Sequence, residues 1–347
     1  MRKYLYSTSL LVILLAAFEM ASFVVAPPGL VLGKKIVRRP VKVAYANFSK
    51  LNGIGLTSKE NEGVVVGAMI DNNFEAWEYQ AGISRAKLVY EALVEGGITR
   101  YLAVFTADQT VAKLGPIRSA RPYYIDWLRE YGINTLYLHS GGSPAALDYL
   151  KTGIVRDANE FYWGKYYWRS NDTPAPHNLF TSSSLWQALL TSRPAPSSLN
   201  FDAWKFATGK NIQTTSSAEP VKGVALPYAP EYSVSWNYVG ASGTYQRLIN
   251  GEARTGDDGL PLSATTIIVQ FVSTTVLDEE GRREFDTVGS GQARVLFGGK
   301  MIRGTWKKPA VSSRTKFYTN GGGEVIFPPG KIWVEVVSRE MEMQVVN

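Results

Sequence analysis

Lys113–Pro144, KLGPIRSARPYYIDWLREYGINTLYLHSGGSP, reads as a loop, a helix, a strand and a second loop that opens onto another helix. Ser119 is placed as an N-cap, Pro122 suits a first turn, and Tyr124, Ile125, Leu128 and Tyr131 fall on one helical face. Gly132 ends that helix. Thr135–Leu138 follows as a short strand, and Ser143 caps a second helix with Pro144 at its first position. Arg118 and Arg121 then bracket a helix start, where free N–H groups and the positive end of the dipole already favour an anion. Cations at such a place call for a negative guest or an internal acid; Glu91, Glu95 and Asp126 are the acids at hand. The turn His139-Ser140-Gly141-Gly142-Ser143 offers a second helix start at a strand end, with glycines that let a ligand approach the backbone. His139 by itself reads as a hydrogen-bonded structural residue more readily than as a catalyst.

Upstream, Val64–Ile70 is an apolar run of buried-strand length that ends on Asp71-Asn72-Asn73. Those polar residues serve either as a turn or as the rim of a cleft at a strand's carboxyl end. Leu88–Phe105, LVYEALVEGGITRYLAVF, reads as a hairpin turning on Gly96-Gly97. A two-residue turn there sets Leu93 against Arg100 and Glu91 against Leu102, so Glu91, Arg100 and Glu95 share one face. At the N-terminus, Arg2 and Lys3 precede an apolar run, the pattern of an export signal or an uncleaved anchor. The expected organisation is therefore a signal or anchor at 1–26, a linker at 27–58 with structure from Gly63, and an α/β domain at 59–198. A connector at 199–221 and a β-rich domain at 222–347 complete it.

Downstream, Asn159–Arg169 is dense in aromatics, which suits core packing, a packed lid, or a carbohydrate- or membrane-facing surface. Thr173–Asn178, with His177 and Asn178, is a turn before a helix over Ser184–Leu190. From Lys222 helical periodicity gives way to short alternating strands, among them Ser233–Val239, Thr265–Val272, Ala293–Phe297 and Lys331–Val337. The fold class is α/β of the mixed, α+β kind: a mixed sheet flanked by helices, then a mainly β part.

Composition narrows the chemistry. The 347 residues carry a formal charge of +7, with 45% hydrophobic and 12% aromatic residues, so a full core is expected. The basic residues are scattered rather than striped, which argues against a nucleic-acid partner. There is no cysteine, which removes thiol catalysis, disulfides and Cys-based metal sites. The two histidines, His139 and His177, allow at most a two-His site completed by carboxylates.

Several blocks resemble the YerB-like lipoprotein family of bacterial envelope proteins, built around a two-part domain of unknown function. They are AMIDNN (68–73), LVYEALVEGGITRYLAVF, GPIRSARPYYID, YLHSGGSP and APHNLF, then GTYQRLING, LDEEGRREFDTVGSGQARVLFGGKMIRGTWKK and PPGKIWVEVV. The resemblance implies a mixed α/β first part, a β-rich second part and an extracytoplasmic place; it brings no catalytic residues. Members of that family typically carry a lipidated cysteine that this chain lacks. The order Thr99-Arg100, Pro116-Ile117-Arg118-Ser119 and a Gly-Gly turn is also similar to the LytR-CpsA-Psr wall-polymer transferases. In those, arginines grip a polyprenyl pyrophosphate and an acid helps hold magnesium; Ser119 stands where that acid is expected.

The residues expected to meet at a site are Asp71, Asn72, Glu91, Glu95, Arg100, Arg118, Ser119, Arg121, His139, Ser140, Gly141, Gly142, Ser143, His177 and Asn178. The expected partner is an anionic wall or lipid component, with a membrane reached through the N-terminal segment. No cofactor is assigned. A divalent metal enters under the transferase alternative, held by Asp71, Glu91 or Glu95; a two-histidine hydrolase is the third reading.

Overall fold

The computed structural model describes residues 47–57, 62–194, 196, 200–207 and 218–347. The signal or anchor at 1–26, most of the linker and the centre of the 199–221 connector lie outside these residues. Among the described residues no helix is long and apolar enough to cross a membrane.

The elements that position the site are β1 (Val65–Asp71), β2 (Leu88–Leu93), β3 (Thr99–Thr106), α1 (Pro122–Arg129), β4 (Leu136–His139), α2 (Pro144–Lys151), β5 (Arg156–Asn159) and α3 (Ser183–Ser192). The second half contributes β6 (Gly223–Ala229), β7 (Tyr232–Val239), β8 (Thr244–Ile249), β9 (Thr266–Val272), β10 (Gly289–Phe297), β11 (Lys300–Lys308), β12 (Lys316–Thr319) and β13 (Ile332–Ser338). The protein is a mixed α+β structure dominated by strands.

An 11-stranded sheet runs Glu219–Pro220, β11, β10, β9, β13, β2, β3, β1, β4, β5, with β12 beside β11. β13 lies parallel to β9 on one side and to β2 on the other. The first and second parts of the sequence therefore share a single sheet, and the strand at the seam comes from the far end of the chain. Hydrophobic alternation says which face of a strand is buried but not which strand lies beside it. A 6-stranded sheet built on β6, β7 and β8 is the second sheet of the β-rich half. Its inward side chains meet one face of the large sheet: Trp236 of β7 packs edge-on against Trp333 of β13 at 5.1 Å. The opposite face takes α1, whose Trp127 stacks on Tyr90 of β2 at 5.5 Å.

With both faces covered, every residue of β1, β2 and β3 is buried, which explains their near-continuous apolar runs. Helix α1 lies close on β1 because Gly67 has no side chain. A Cβ there would sit 2.4 Å from Leu128 Cδ1. Ser143 and Ser182 cap α2 and α3, accepting from Ala146 N–H and Leu185 N–H, so α2 begins where the sequence predicts it.

Regular structure is present before Gly63. Asn47–Phe48 pairs with Gly55–Leu56, Leu51 between them is fully buried, and Ser49 Oγ donates to Glu62 Oε1 at 2.5 Å. The aromatic stretch divides in two: Tyr166 and Tyr167 are buried, whereas Phe161 and Tyr162 are 72% and 79% exposed.

Candidate functional site

The hairpin register decides which residues can meet. Val94 N–H donates to Ile98 O at 2.8 Å around Glu95-Gly96-Gly97, a three-residue loop with both glycines at positive φ. The expected two-residue turn is therefore corrected by one position: Glu91 pairs with Tyr101, and Arg100 with Ala92. A slip of one residue sends each side chain to the other face. Glu91 and Arg100 lie on opposite faces of the sheet, and the proposed acid–base–acid ladder does not form.

The face toward α1 holds Asp71, Glu95, Arg100, Arg118, Ser119, Arg121 and His177. The Arg118–Arg121 segment is threaded as extended backbone between β1 and the glycine turn. Arg118 N–H donates to Met69 O (2.9 Å), Ala120 N–H to Gly141 O (3.0 Å) and Ser140 N–H to Arg118 O (3.0 Å). This pairing delays α1, so the N-cap is Arg121, without a side-chain cap, and not Ser119. The two helix starts are thus adjacent, joined by an Ala120–Gly142 bridge.

Within this cluster the arginines differ. Arg121 is saturated: its Nε and NH2 reach both oxygens of Glu95 at 2.5 and 2.6 Å, and NH1 donates to Ala120 O at 2.7 Å. Burial alone would raise the Glu95 carboxyl, but the Arg121 hydrogen bonds outweigh it and hold the group below its ordinary range. Arg118 Nε lies 3.0 Å from Asp71 Oδ2, and its side chain is 26% exposed. Arg100, by contrast, is 5% exposed and has one hydrogen bond among the described residues, NH1 to Ser119 O at 3.0 Å; its Nε is buried without a partner. Burial, then the charges of Arg121 and Arg118, pull its pKa down to about 10. Cations exceed carboxylates here, and the least compensated one is the deepest.

His177 completes this side, with Nδ1 at 2.7 Å from Asp71 Oδ2 and Nε2 at 3.2 Å from Glu75 Oε2. His139 is tied elsewhere, to Asp157 Oδ1 at 2.8 Å and Gly141 O at 2.7 Å. The two histidines thus serve different carboxylates, and no group of three or more His, Asp or Glu among the described residues could hold a metal ion. That overturns the two-histidine metal site. The glycine turn is also largely closed: besides Ser140 N–H, Gly141 N–H donates to Asn159 Oδ1 (3.0 Å) and Ser143 N–H to Ala120 O (3.3 Å). Ser140 Oγ donates to Glu160, and Asn178 accepts from Arg169, away from the arginines.

The opposite face carries a second charge cluster, with Glu91 and Asn72 in it. Arg247 NH2 lies 2.8 Å from Glu91 Oε2, and NH1 3.2 Å from Glu335 Oε1; all three side chains are fully buried. Tyr232 OH and Thr99 Oγ1 donate to Glu91 at 2.6 and 2.7 Å. Tyr228 OH and Trp236 Nε1 each donate to Glu335 at 2.7 Å. Asn72 Nδ2 donates to Tyr232 OH and Thr99 Oγ1, and its Oδ1 accepts from Tyr101. Burial and the charge of Glu91, its cross-strand neighbour, push Glu335 up to about 8 against the pull of Arg247. Arg247 and Glu335 were not singled out from the sequence. Their signal was available: a charged residue inside the apolar run IWVEVVS, and in TYQRLI an arginine in step with Tyr245 and Ile249 on the apolar side of an alternating strand.

Two family models match the chain, both of the protein of unknown function DUF3048: its N-terminal domain over residues 51–195 and its C-terminal domain over 224–334. The chain is 30% identical over 295 residues to the protein named "Putative lipoprotein YerB" of Bacillus subtilis (strain 168), covering 83% of this chain and 85% of that one. The crystal structure of YerB from Bacillus subtilis superposes with a TM-score of 0.74 at 27% identity, covering 86% of this chain and 99% of the other.

Proposed function

This chain belongs to the DUF3048 family, the family of YerB, and from that premise we propose an extracytoplasmic envelope protein that binds an anionic group at the Arg100–Arg118 surface. The extracytoplasmic place is supported by the lipoprotein name of the relative and by the apolar N-terminal segment that follows Arg2 and Lys3. The ligand reading rests on one observation: Arg100 is buried beside two other guanidiniums and, among the described residues, donates only to Ser119 O, while the nearby Asp71 and Glu95 are bonded to Arg118 and Arg121. A buried, unpaired cation is expensive, whereas a bound phosphate or carboxylate would pair it and use the half-open Arg118 as its outer contact. The transferase alternative loses support, because Glu91 faces the other side of the sheet and Glu95 is bonded bidentate to Arg121.

The test is salt-sensitive binding of a phosphodiester-linked wall polymer to the whole chain, measured by calorimetry. Arg118→Ala is expected to reduce binding at least tenfold while the protein unfolds at nearly the same temperature. Undiminished binding by a well-folded variant would remove this reading; early unfolding would make Arg118 a structural residue.

A further inference from the structure

A second site lies at the other end of α1, where neither the glycine turn nor the Arg100 cluster reaches. A cavity of about 660 Å³ opens between the carboxyl end of that helix, the segment from Asn200 and the turn after β11. Its floor is built rather than incidental. Glu130 accepts from Arg314 NH1 at 2.5 Å and Thr315 Oγ1 at 2.5 Å, and Lys308 Nζ lies 3.0 Å away. Burial would raise the Glu130 carboxyl, yet Lys308 and Arg314 hold it below its ordinary range. Arg314, whose side chain is 1% exposed, has its Cζ over the Trp204 ring at 3.7 Å, and NH1 also donates to Tyr90 OH at 2.8 Å.

Two cations on one carboxylate leave positive charge over at the floor. The wall adds to it: Arg129, Lys307 and Lys316 line the cavity, and Asp202, 3.5 Å from Lys316 and 78% exposed, is the other acid in the lining. The Nε atoms of Arg129 and Arg314 are both buried without a hydrogen-bond partner. Part of the positive charge answers the negative end of α1, since Lys308 Nζ donates to Asp126 O at 2.9 Å. Arg129, in the last turn of α1, answers the same end, and Lys316 pairs with Asp202, yet the lining still holds more cations than acids.

The remaining lining is of a different kind. Ser312, Ser313 and Asn200 offer hydroxyls and an amide, while the rings of Phe201 and Tyr318 supply apolar faces. A bare phosphate would fill little of the volume, which lies in the range of small-molecule sites. A sugar ring presents hydroxyls at its edge and C–H groups on its faces, and so matches amide, hydroxyl and aromatic surfaces together. The geometry points to a binding site for a small phosphate-bearing saccharide, with the phosphate against Arg129 and Lys316 above the Glu130–Arg314 floor and the sugar between Phe201 and Tyr318. This site is separate from the Arg100–Arg118 surface and stands without it.

Titration of the intact chain with glucose 1-phosphate, inorganic phosphate and glucose, followed by calorimetry, tests the assignment. Saturable binding of glucose 1-phosphate is expected, at least tenfold tighter than that of inorganic phosphate. Arg129→Gln combined with Lys316→Gln, both away from the sealed floor, is expected to weaken it at least tenfold, and Arg118→Ala to leave it unchanged. Equal affinity for inorganic phosphate would overturn the saccharide assignment. Absence of saturable binding, or full binding by the double variant with its circular dichroism intact, would overturn the site. Loss of binding in Arg118→Ala alone would reassign the ligand to the other surface.

Discussion

The two faces of the Leu88–Thr106 hairpin carry similar side chains and handle their charge in opposite ways. On the β7 face, Glu91, Arg247 and Glu335 are sealed, and tyrosine, tryptophan and threonine donors complete both carboxylates. On the α1 face, Arg100 is almost as deeply buried but answers to a single backbone carbonyl, and its neighbour Arg118 reaches solvent. Depth alone does not separate structure from site. Pairing of the charge does: Arg247 Nε, like Arg100 Nε, is buried without a hydrogen-bond partner, but Arg247 lies against two carboxyl groups whereas Arg100 donates only to a backbone carbonyl and still has a charge to offer a ligand.

Removing the central cation of the sealed face should break the contrast most severely. Arg247→Met leaves the buried Glu91 carboxylate without its counter-ion, beside Glu335, and is expected to lower stability by about 3–5 kcal/mol in denaturant unfolding. A loss below about 1 kcal/mol would show that the network is not sealed. Next in size is a pH effect on the same face. The folded protein keeps the Glu335 proton up to about pH 8, while the unfolded chain releases it near 4.5. Between those values the folded state binds more protons, so this contribution to stability is complete below about 4.5 and declines as pH rises toward 8. Glu335→Gln should flatten that slope in unfolding measured from pH 5 to 8; an unchanged slope would assign it to another group.

Packing on the α1 face sharpens the comparison without touching its charges. Gly67→Val would drive a side chain into Leu128 and should destabilise by about 1–3 kcal/mol. Thermal unfolding should show part of that loss restored when Leu128→Ala is added. Smallest of all is the stability change for Arg118→Ala, within about 1 kcal/mol for a part-exposed ion pair, against its large expected effect on binding. A bigger loss of stability would move Arg118 into the structural class and erase the difference between the faces.

Much of the local structure was legible in the residues. The apolar run ending at Asp71, the capped helix after Ser143 and the strands at Ser233, Thr265 and Lys331 sit within a residue or two of their expected places. The site was legible only in part. Adjacent helix starts were foreseen, but the N-cap at Ser119 was not realised, because Arg118–Ala120 finds backbone partners on both sides. The Glu91–Arg100 pairing failed on a single extra turn residue, since Glu95-Gly96-Gly97 suits two-residue and three-residue loops alike and composition does not distinguish them.

By itself the sequence determined most element types, the capped start of α2, the absence of thiol chemistry and the likeness to an envelope family, because these depend on local periodicity, on residue identity and on long matching blocks. Tertiary structure alone decided that β13 closes the gap between the two halves, that Glu91 meets Arg247 from 156 positions away, and that Arg100 is left unpaired. Such outcomes depend on strand order and register, which are set when distant segments compete for the same neighbour, and no local pattern carries that information.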